Sequence, residues 1–280
     1  MLRYFVSGVA FALVCMSAHA GFDDGQAAFD KKDYAQAFKE WKALADKGQA
    51  AAQNALAGLY VLGRGVAVDD ALAAQWYMKA AKQGLASAQY NLGVCYEAGQ
   101  GVRRDDAEAF RWHKLAAQQG YAKAQNSIAR MYAHGVGVMP DDAQAVMWYR
   151  RAADQGFADA QVGLAFMYVL GNGVRQDYAQ ALSLYRLAAA QENPVAQNML
   201  GYLYAQGLGV PQDDAQALQW RRKAADQDLP DAQFDVGAMY ENGLGVKQDY
   251  VQAVQWYRRA AAQGFEPARQ SLERFSKKPE

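Results

Sequence analysis

Apolar residues recur along this chain at a spacing of four within short stretches, and the stretches themselves recur every 36 residues. The first stretch carries Ala52, Leu56 and Tyr60. Later copies carry Leu92 and Tyr96, Ile128 and Tyr132, Leu164 and Tyr168, Leu200 and Tyr204, and Val236 and Tyr240. A spacing of four puts such residues on one stripe of a helix, here called helix A. A small residue follows the Leu position in each copy, from Ala57 and Gly93 to Gly237, and is expected to let a neighbouring helix approach closely. The stripe stops at Gly63-x-Gly65-Val66 and its copies, where glycine supplies the left-handed turn after a helix.

A second helix, B, is predicted to begin at Asp69, Asp105, Asp141, Asp177, Asp213 and Asp249. Three residues later stand Glu108, Gln144, Gln180, Gln216 and Gln252, with Leu72 as the exception, so the start resembles a capping box. Helix B carries Ala73, Trp76, Ala80 and Ala81, and its Trp recurs as Trp112, Trp148, Trp220 and Trp256, with Leu184 in one copy. These aromatics are read as core. The helix ends at Gly84, Gly120, Gly156 and Gly264. Glu192 and Asp228 replace that Gly in two copies, followed by Pro194 and Pro230, and differently shaped joints are expected there.

The register is marked by Ala52-Gln53 and its copies at Ala88, Ala124, Ala160, Ala196 and Ala232, without insertion or deletion. A fixed period of this length means a stacked-repeat solenoid. The expected organisation is a leader over 1–20, an N-terminal helical cap over 21–48, six repeats over 49–264, and a capping helix with a tail over 265–280. Asp33, Ala37 and Gly48 fall on repeat columns, whereas Trp41 stands one place after the Trp column. Leu272 keeps the core column, and the end at Lys277-Lys278-Pro279 is expected to be disordered.

The leader has a basic start at Arg3, an apolar run over Tyr4 to Met16 and a small-x-small site at Ala18-His19-Ala20. This reads as a secretory signal peptide, which predicts a periplasmic or secreted protein with no integral membrane span after cleavage. The formal net charge of zero argues against a nucleic-acid surface, which needs a basic face. Beyond the leader only Cys95 remains as a thiol, so no internal disulfide is expected.

The columns resemble the Sel-one-like repeat (SLR) family, a relative of the tetratricopeptide repeat. The shared marks are Ala-Gln, Leu-Gly, Tyr, Gly-x-Gly-Val, Asp, Ala, Trp-Tyr, Ala-Ala and Gly. Trp-Tyr is intact at Trp76-Tyr77, Trp148-Tyr149 and Trp256-Tyr257, and altered at Trp112-His113, Leu184-Tyr185 and Trp220-Arg221. The resemblance implies an all-α fold, a right-handed superhelical solenoid of antiparallel helix pairs. It also implies a protein-interaction role in the bacterial envelope, as a scaffold or adaptor without catalysis. The alternative implied by exported Helicobacter cysteine-rich relatives is cell-wall or β-lactam binding with weak hydrolysis. Those relatives carry a disulfide in each repeat, and this chain lacks the cysteines.

No catalytic, metal or cofactor constellation emerges from the residues. His113 and His134 lie in different helices with no zinc-ligand spacing to Cys95. Cys95 stands in a column of Leu59, Met131, Met167, Leu203 and Met239, as a small core residue would. The Gly-x-Gly pair follows no strand and precedes no Gly-Lys-Ser/Thr, so a turn outweighs a phosphate loop. The candidate site is the side of helix A opposite the core stripe, whose columns vary between copies. One column reads Asn54, Tyr90, Asn126, Val162, Asn198 and Phe234; another reads Gly58, Val94, Arg130, Phe166, Tyr202 and Ala238. With helix A on the inner curve, as the family implies, these side chains pave a concave groove for a protein or peptide. The Asn residues are expected to bond its backbone, with Tyr90, Val94, Phe166, Tyr202 and Phe234 receiving apolar groups and Arg130 as an anchor. Packing of the same aromatics between adjacent A helices is the competing expectation for each of them.

Overall fold

The computed structural model describes residues 21–276. The leader over 1–20 and the end at Lys277-Lys278-Pro279 lie outside them. The described residues are helices joined by turns, with no strand among them. They divide into two compact units that meet in sequence at Pro140 and Asp141.

In the first unit, α1 is helical through residues 21–30. It is followed by α2 (Tyr34–Asp46), α3 (Ala50–Leu62), α4 (Asp70–Lys82), α5 (Ala86–Ala98), α6 (Asp106–Gln118) and α7 (Ala122–His134). The second unit holds α8 (Asp142–Ala153), α9 (Ala158–Leu170), α10 (Tyr178–Ala189), α11 (Pro194–Gln206), α12 (Asp214–Asp226), α13 (Pro230–Asn242), α14 (Tyr250–Ala262) and α15 (Glu266–Ser276). Within each unit, from α2 onward, every helix packs on the next one in sequence, which is the contact order of a solenoid. Helix A is therefore α3, α5, α7, α9, α11 and α13, and helix B is α4, α6, α8, α10, α12 and α14.

Each B helix starts as the Asp column requires. The carboxylate of Asp69 accepts from the Leu72 N–H at 2.8 Å, and Asp105, Asp141, Asp177, Asp213 and Asp249 accept in the same way at 2.9 to 3.0 Å. Only this half of a capping box is formed. The backbone N–H of Asp69 already donates to Tyr60 O of the preceding helix at 3.2 Å, and Asp105 to Tyr96 O at 3.0 Å. The third position therefore has no N–H to reach back to, which explains why Leu72 is tolerated there.

The second glycine of each A–B turn is a point of close approach. Gly101 sits at φ +69°, and a Cβ there would lie 1.9 Å from Asp70 O at the start of the preceding B helix. The joints at Glu192 and Asp228, where a different shape is expected, keep the hydrogen bond of the glycine joints with a smaller φ than the +82° to +92° found there. Both adopt φ +62°, and their N–H groups donate to Ala189 O at 3.0 Å and Ala225 O at 3.1 Å. Gly84 makes the same bond to Ala81 O at 3.0 Å. The turn needs a left-handed residue, and the chain holds Glu and Asp in it.

The core is built from the repeat columns. Leu56, Leu92, Ile128, Leu200 and Val236 are fully buried, as are the Ala residues that begin each stripe. Trp76, Trp112, Trp148 and Trp256 are buried, and each carries a cation over its ring from its own helix, such as Lys79 at 3.8 Å from the Trp76 centroid. Trp41 takes the place of the Tyr in the Trp-Tyr pair. It is buried, stacks on Phe22 at 5.9 Å and donates its indole N–H to Phe22 O at 3.3 Å.

Candidate functional site

Helix A is fixed by polar bonds that its stripe of apolar residues does not reveal. The Gln of each Ala-Gln pair is buried. Gln53 donates to Ala45 O at 3.2 Å and accepts from Gln83 at 2.7 Å. Gln89 repeats this with Ala81 O and Gln119, and Gln233 with Ala225 O and Gln263. A buried amide is costly unless it is bonded. Here it ties the end of the preceding B helix to the end of the next one. The Gln83 column also recurs every 36 residues, and that recurrence is the signal that was available in the sequence.

With this side locked, the opposite side of helix A carries the variable columns. In the first unit Asn54 is half-buried and accepts from Asn91 Nδ2 at 3.0 Å. Tyr90 is half-buried, with its ring 5.3 Å from that of His113 and 5.4 Å from that of Tyr121. Val94 and Asn126 are half-buried. Arg130 is exposed, but its guanidinium holds Glu97 Oε1. In the second unit Phe234 packs between Tyr257 and Phe265 at 5.4 and 5.5 Å. Asn198 is half-buried with its Oδ1 sealed from solvent. Phe166 and Tyr202 stand on the consecutive A helices α9 and α11 and remain 38% and 39% exposed. Phe166 touches the buried Tyr185 edge-on, with centroids 6.2 Å apart. Leu170 and Val195, on the same two helices, are exposed as well.

Sequence reasoning passed over a polar cluster in each unit. His113, fully buried on α6, is 3.2 Å from Glu97 Oε2 through Nε2. Four repeats later Tyr257 donates to Glu241 Oε2 at 2.7 Å, and Arg274 pairs with Glu241 Oε1 at 2.7 Å. The two clusters occupy identical columns. Where the Glu is absent the partner column is free of Arg, as at Val61 with Val94 or Val169 with Tyr202. The His113 hydrogen bond and then Arg130 hold the Glu97 carboxyl below the usual carboxylate range, against the effect of burial. Burial instead raises Asp235, with Arg221 opposing from 3.3 Å.

Cys95 is buried and its thiol is pushed up to about 11 by burial, with Asp70 adding to the shift. That protonated state suits the core role read from its column and not a nucleophile. Among the described residues no cluster of His, Cys, Asp or Glu could hold a metal ion, and no helix is long and apolar enough to cross a membrane.

The family model of the Sel1 repeat matches six consecutive segments, 50–85, 86–121, 122–157, 158–193, 194–229 and 230–265. The chain belongs to the Sel1 repeat family. It is similar to a protective antigen of uropathogenic Escherichia coli with an SLR fold, at 38% identity and a TM-score of 0.77. That match covers 91% of this chain and 56% of the other, so this chain spans little more than half of that antigen. It is also similar to a Sel1 repeat protein from Oxalobacter formigenes, at 34% identity and a TM-score of 0.81, over 86% of this chain and 96% of the other. An immunity protein of Pseudomonas aeruginosa, at 19% identity and a TM-score of 0.51 over 79% of this chain and 84% of the other, shares the fold alone. No curated protein matches the sequence. The all-α solenoid of antiparallel helix pairs thus stands on the helices, their contact order and these neighbours. Sel1 repeat solenoids are in general scaffolds for protein partners and not enzymes.

Proposed function

We propose that this Sel1 repeat protein is a non-catalytic adaptor of the bacterial envelope that holds a protein or peptide partner on the helix-A face of its repeats. The leader over 1–20 supports export to the periplasm or beyond. One observation carries the choice of face. Phe166 and Tyr202 occupy the same column of adjacent A helices, and both keep more than a third of their surface open. Aromatics left open on successive helices of one face are the residue type that anchors interfaces.

The experiment replaces Tyr202 with a photoreactive residue and irradiates the exported protein in its native envelope. Capture of a discrete protein that disappears with Phe166→Ala, at unchanged helix content, supports the reading. Capture that ignores Phe166 counts against it.

A further inference from the structure

Five B helices carry a cation at one column, as Lys114, Arg150, Arg186, Arg222 and Arg258, where the first B helix has Met78. In the second unit Arg150, Arg186 and Arg222 donate to the hydroxyls of Tyr168, Tyr204 and Tyr240 on the next A helix, at 3.0, 2.9 and 3.4 Å. A hydroxyl that accepts from a guanidinium keeps its own hydrogen to donate. Tyr168 stands two residues from Phe166, about 200° around the helix, so these pairs lie on another side of it.

At Arg150 a second guanidinium joins. Arg150, Tyr168, Arg175 and Gln180 line one open depression between α8, α9 and α10. Both arginines are exposed, and neither pairs with a carboxylate among the described residues. The one acid of the lining, Asp177, is committed: its Oδ1 accepts from the Ala179 and Gln180 N–H groups, each at 3.0 Å. That also caps the N-terminus of α10, so the donors left facing the depression are side chains.

The same depression recurs in the first unit with its charge cancelled. Tyr96, Arg103, Arg104, Asp105 and Glu108 line it, and Met78 stands in the Arg150 column. Arg104 is paired with Asp106 at 3.0 Å, and Glu108 with Arg111 at 3.1 Å. In the fourth repeat Tyr178 and Gln180 replace those two acids. The sixth repeat has Arg222 and Lys247 in the two cation columns, and lysine lacks the guanidinium fork.

Two planar guanidiniums suit an anion with two charges and more oxygens than a carboxylate offers. A phosphate monoester brings a charge of about −2 and three acceptor oxygens near neutral pH. The Tyr168 hydroxyl and the Gln180 amide add neutral donors beside the two forks.

We infer that the depression between Arg150 and Arg175 binds a phosphate monoester group, with both guanidiniums on its oxygens and Tyr168 and Gln180 donating beside them. The site lies apart from the adaptor face and does not depend on it.

The test titrates the full chain by calorimetry with methyl phosphate and with dimethyl phosphate, which carries a single charge. Saturable binding is expected for methyl phosphate, and at least about ten-fold weaker binding for dimethyl phosphate. Arg150→Met and Arg175→Met install residues that the chain already carries in those columns, as Met78 and Met139. Each should weaken methyl phosphate binding at least about ten-fold, and Arg175→Lys by less. Lys247→Ala should leave it unchanged. Phosphatidylcholine vesicles with and without phosphatidic acid separate the two sources of the ester. Co-sedimentation that needs both phosphatidic acid and Arg175 supports a lipid headgroup, and methyl phosphate binding without co-sedimentation supports a soluble ester. The inference is overturned by the absence of saturable binding, by equal affinity for dimethyl phosphate, or by binding that survives both Met variants in folded protein. A loss with Lys247→Ala as large as with Arg175→Met overturns it too, because general charge attraction would then be at work. None of these outcomes touches crosslinking at Tyr202, so the adaptor reading fails or stands separately.

Discussion

Glu97 on α5 and the buried His113 on α6 meet at 3.2 Å, and the other oxygen of Glu97 holds Arg130 on α7. One carboxylate thus links three consecutive helices of the first unit. Its folded value is lowered, so its stabilising contribution is present above the unfolded Glu range of about 4.3 and is lost as pH falls through the folded value. Glu97→Gln should cost about 1–3 kcal/mol at neutral pH, and the deficit should shrink once pH drops below about 4. Urea midpoints of both proteins across that range check the sign. His113→Tyr should keep the link, because Tyr257 makes it to Glu241 at 2.7 Å.

Gly101 and Gly120 both have positive φ, at +69° and +87°, but only Gly101 faces a backbone carbonyl at short range. Gly120→Ala should cost about 1 kcal/mol for the strained conformation alone. Gly101→Ala must also push α4 away and should cost about 3 kcal/mol or more. Equal losses in thermal unfolding would show that the approach to Asp70 is unimportant.

The left-handed Glu192 and Asp228 offer the reverse experiment. Glu192→Gly should raise stability by up to about 1 kcal/mol. Asp228→Gly should gain less, because Asp228 also accepts from Gln233 at 3.1 Å and from Arg259 at 3.2 Å. A loss for Glu192→Gly would contradict the account of that joint.

Cys95 is 4% exposed and its thiol is raised to about 11. A thiol reagent at neutral pH should therefore label it only at the rate of unfolding, with full reaction in denaturant. Prompt labelling of folded protein would place Cys95 outside the core.

Much of the fold is legible in the sequence because it is set by residues close together in the chain. The stripe of Leu56 and Tyr60, the stop at Gly63 and the cap at Asp69 each act within one turn of helix. The candidate face was legible only as a set of columns. Whether a side chain there is open depends on partners about one repeat away. Asn54 is paired by Asn91 and Arg130 by Glu97, while Tyr90 rests on His113 and Phe234 on Tyr257 of the following helices. Phe166 meets Tyr185 edge-on, and both Phe166 and Tyr202 keep more than a third of their surface open. The helical period predicts the direction of a side chain but not the size of its neighbour. The buried Gln bonds span 30 residues and were hidden for the same reason.

The most direct measurement compares photoreactive residues at Tyr202 on α11 and at Val251 on α14, which is 68% exposed on a B helix. An adaptor that works through helix A should yield a defined protein adduct from position 202 and none from position 251. Equal adducts from both positions, or an adduct from 251 alone, would contradict it.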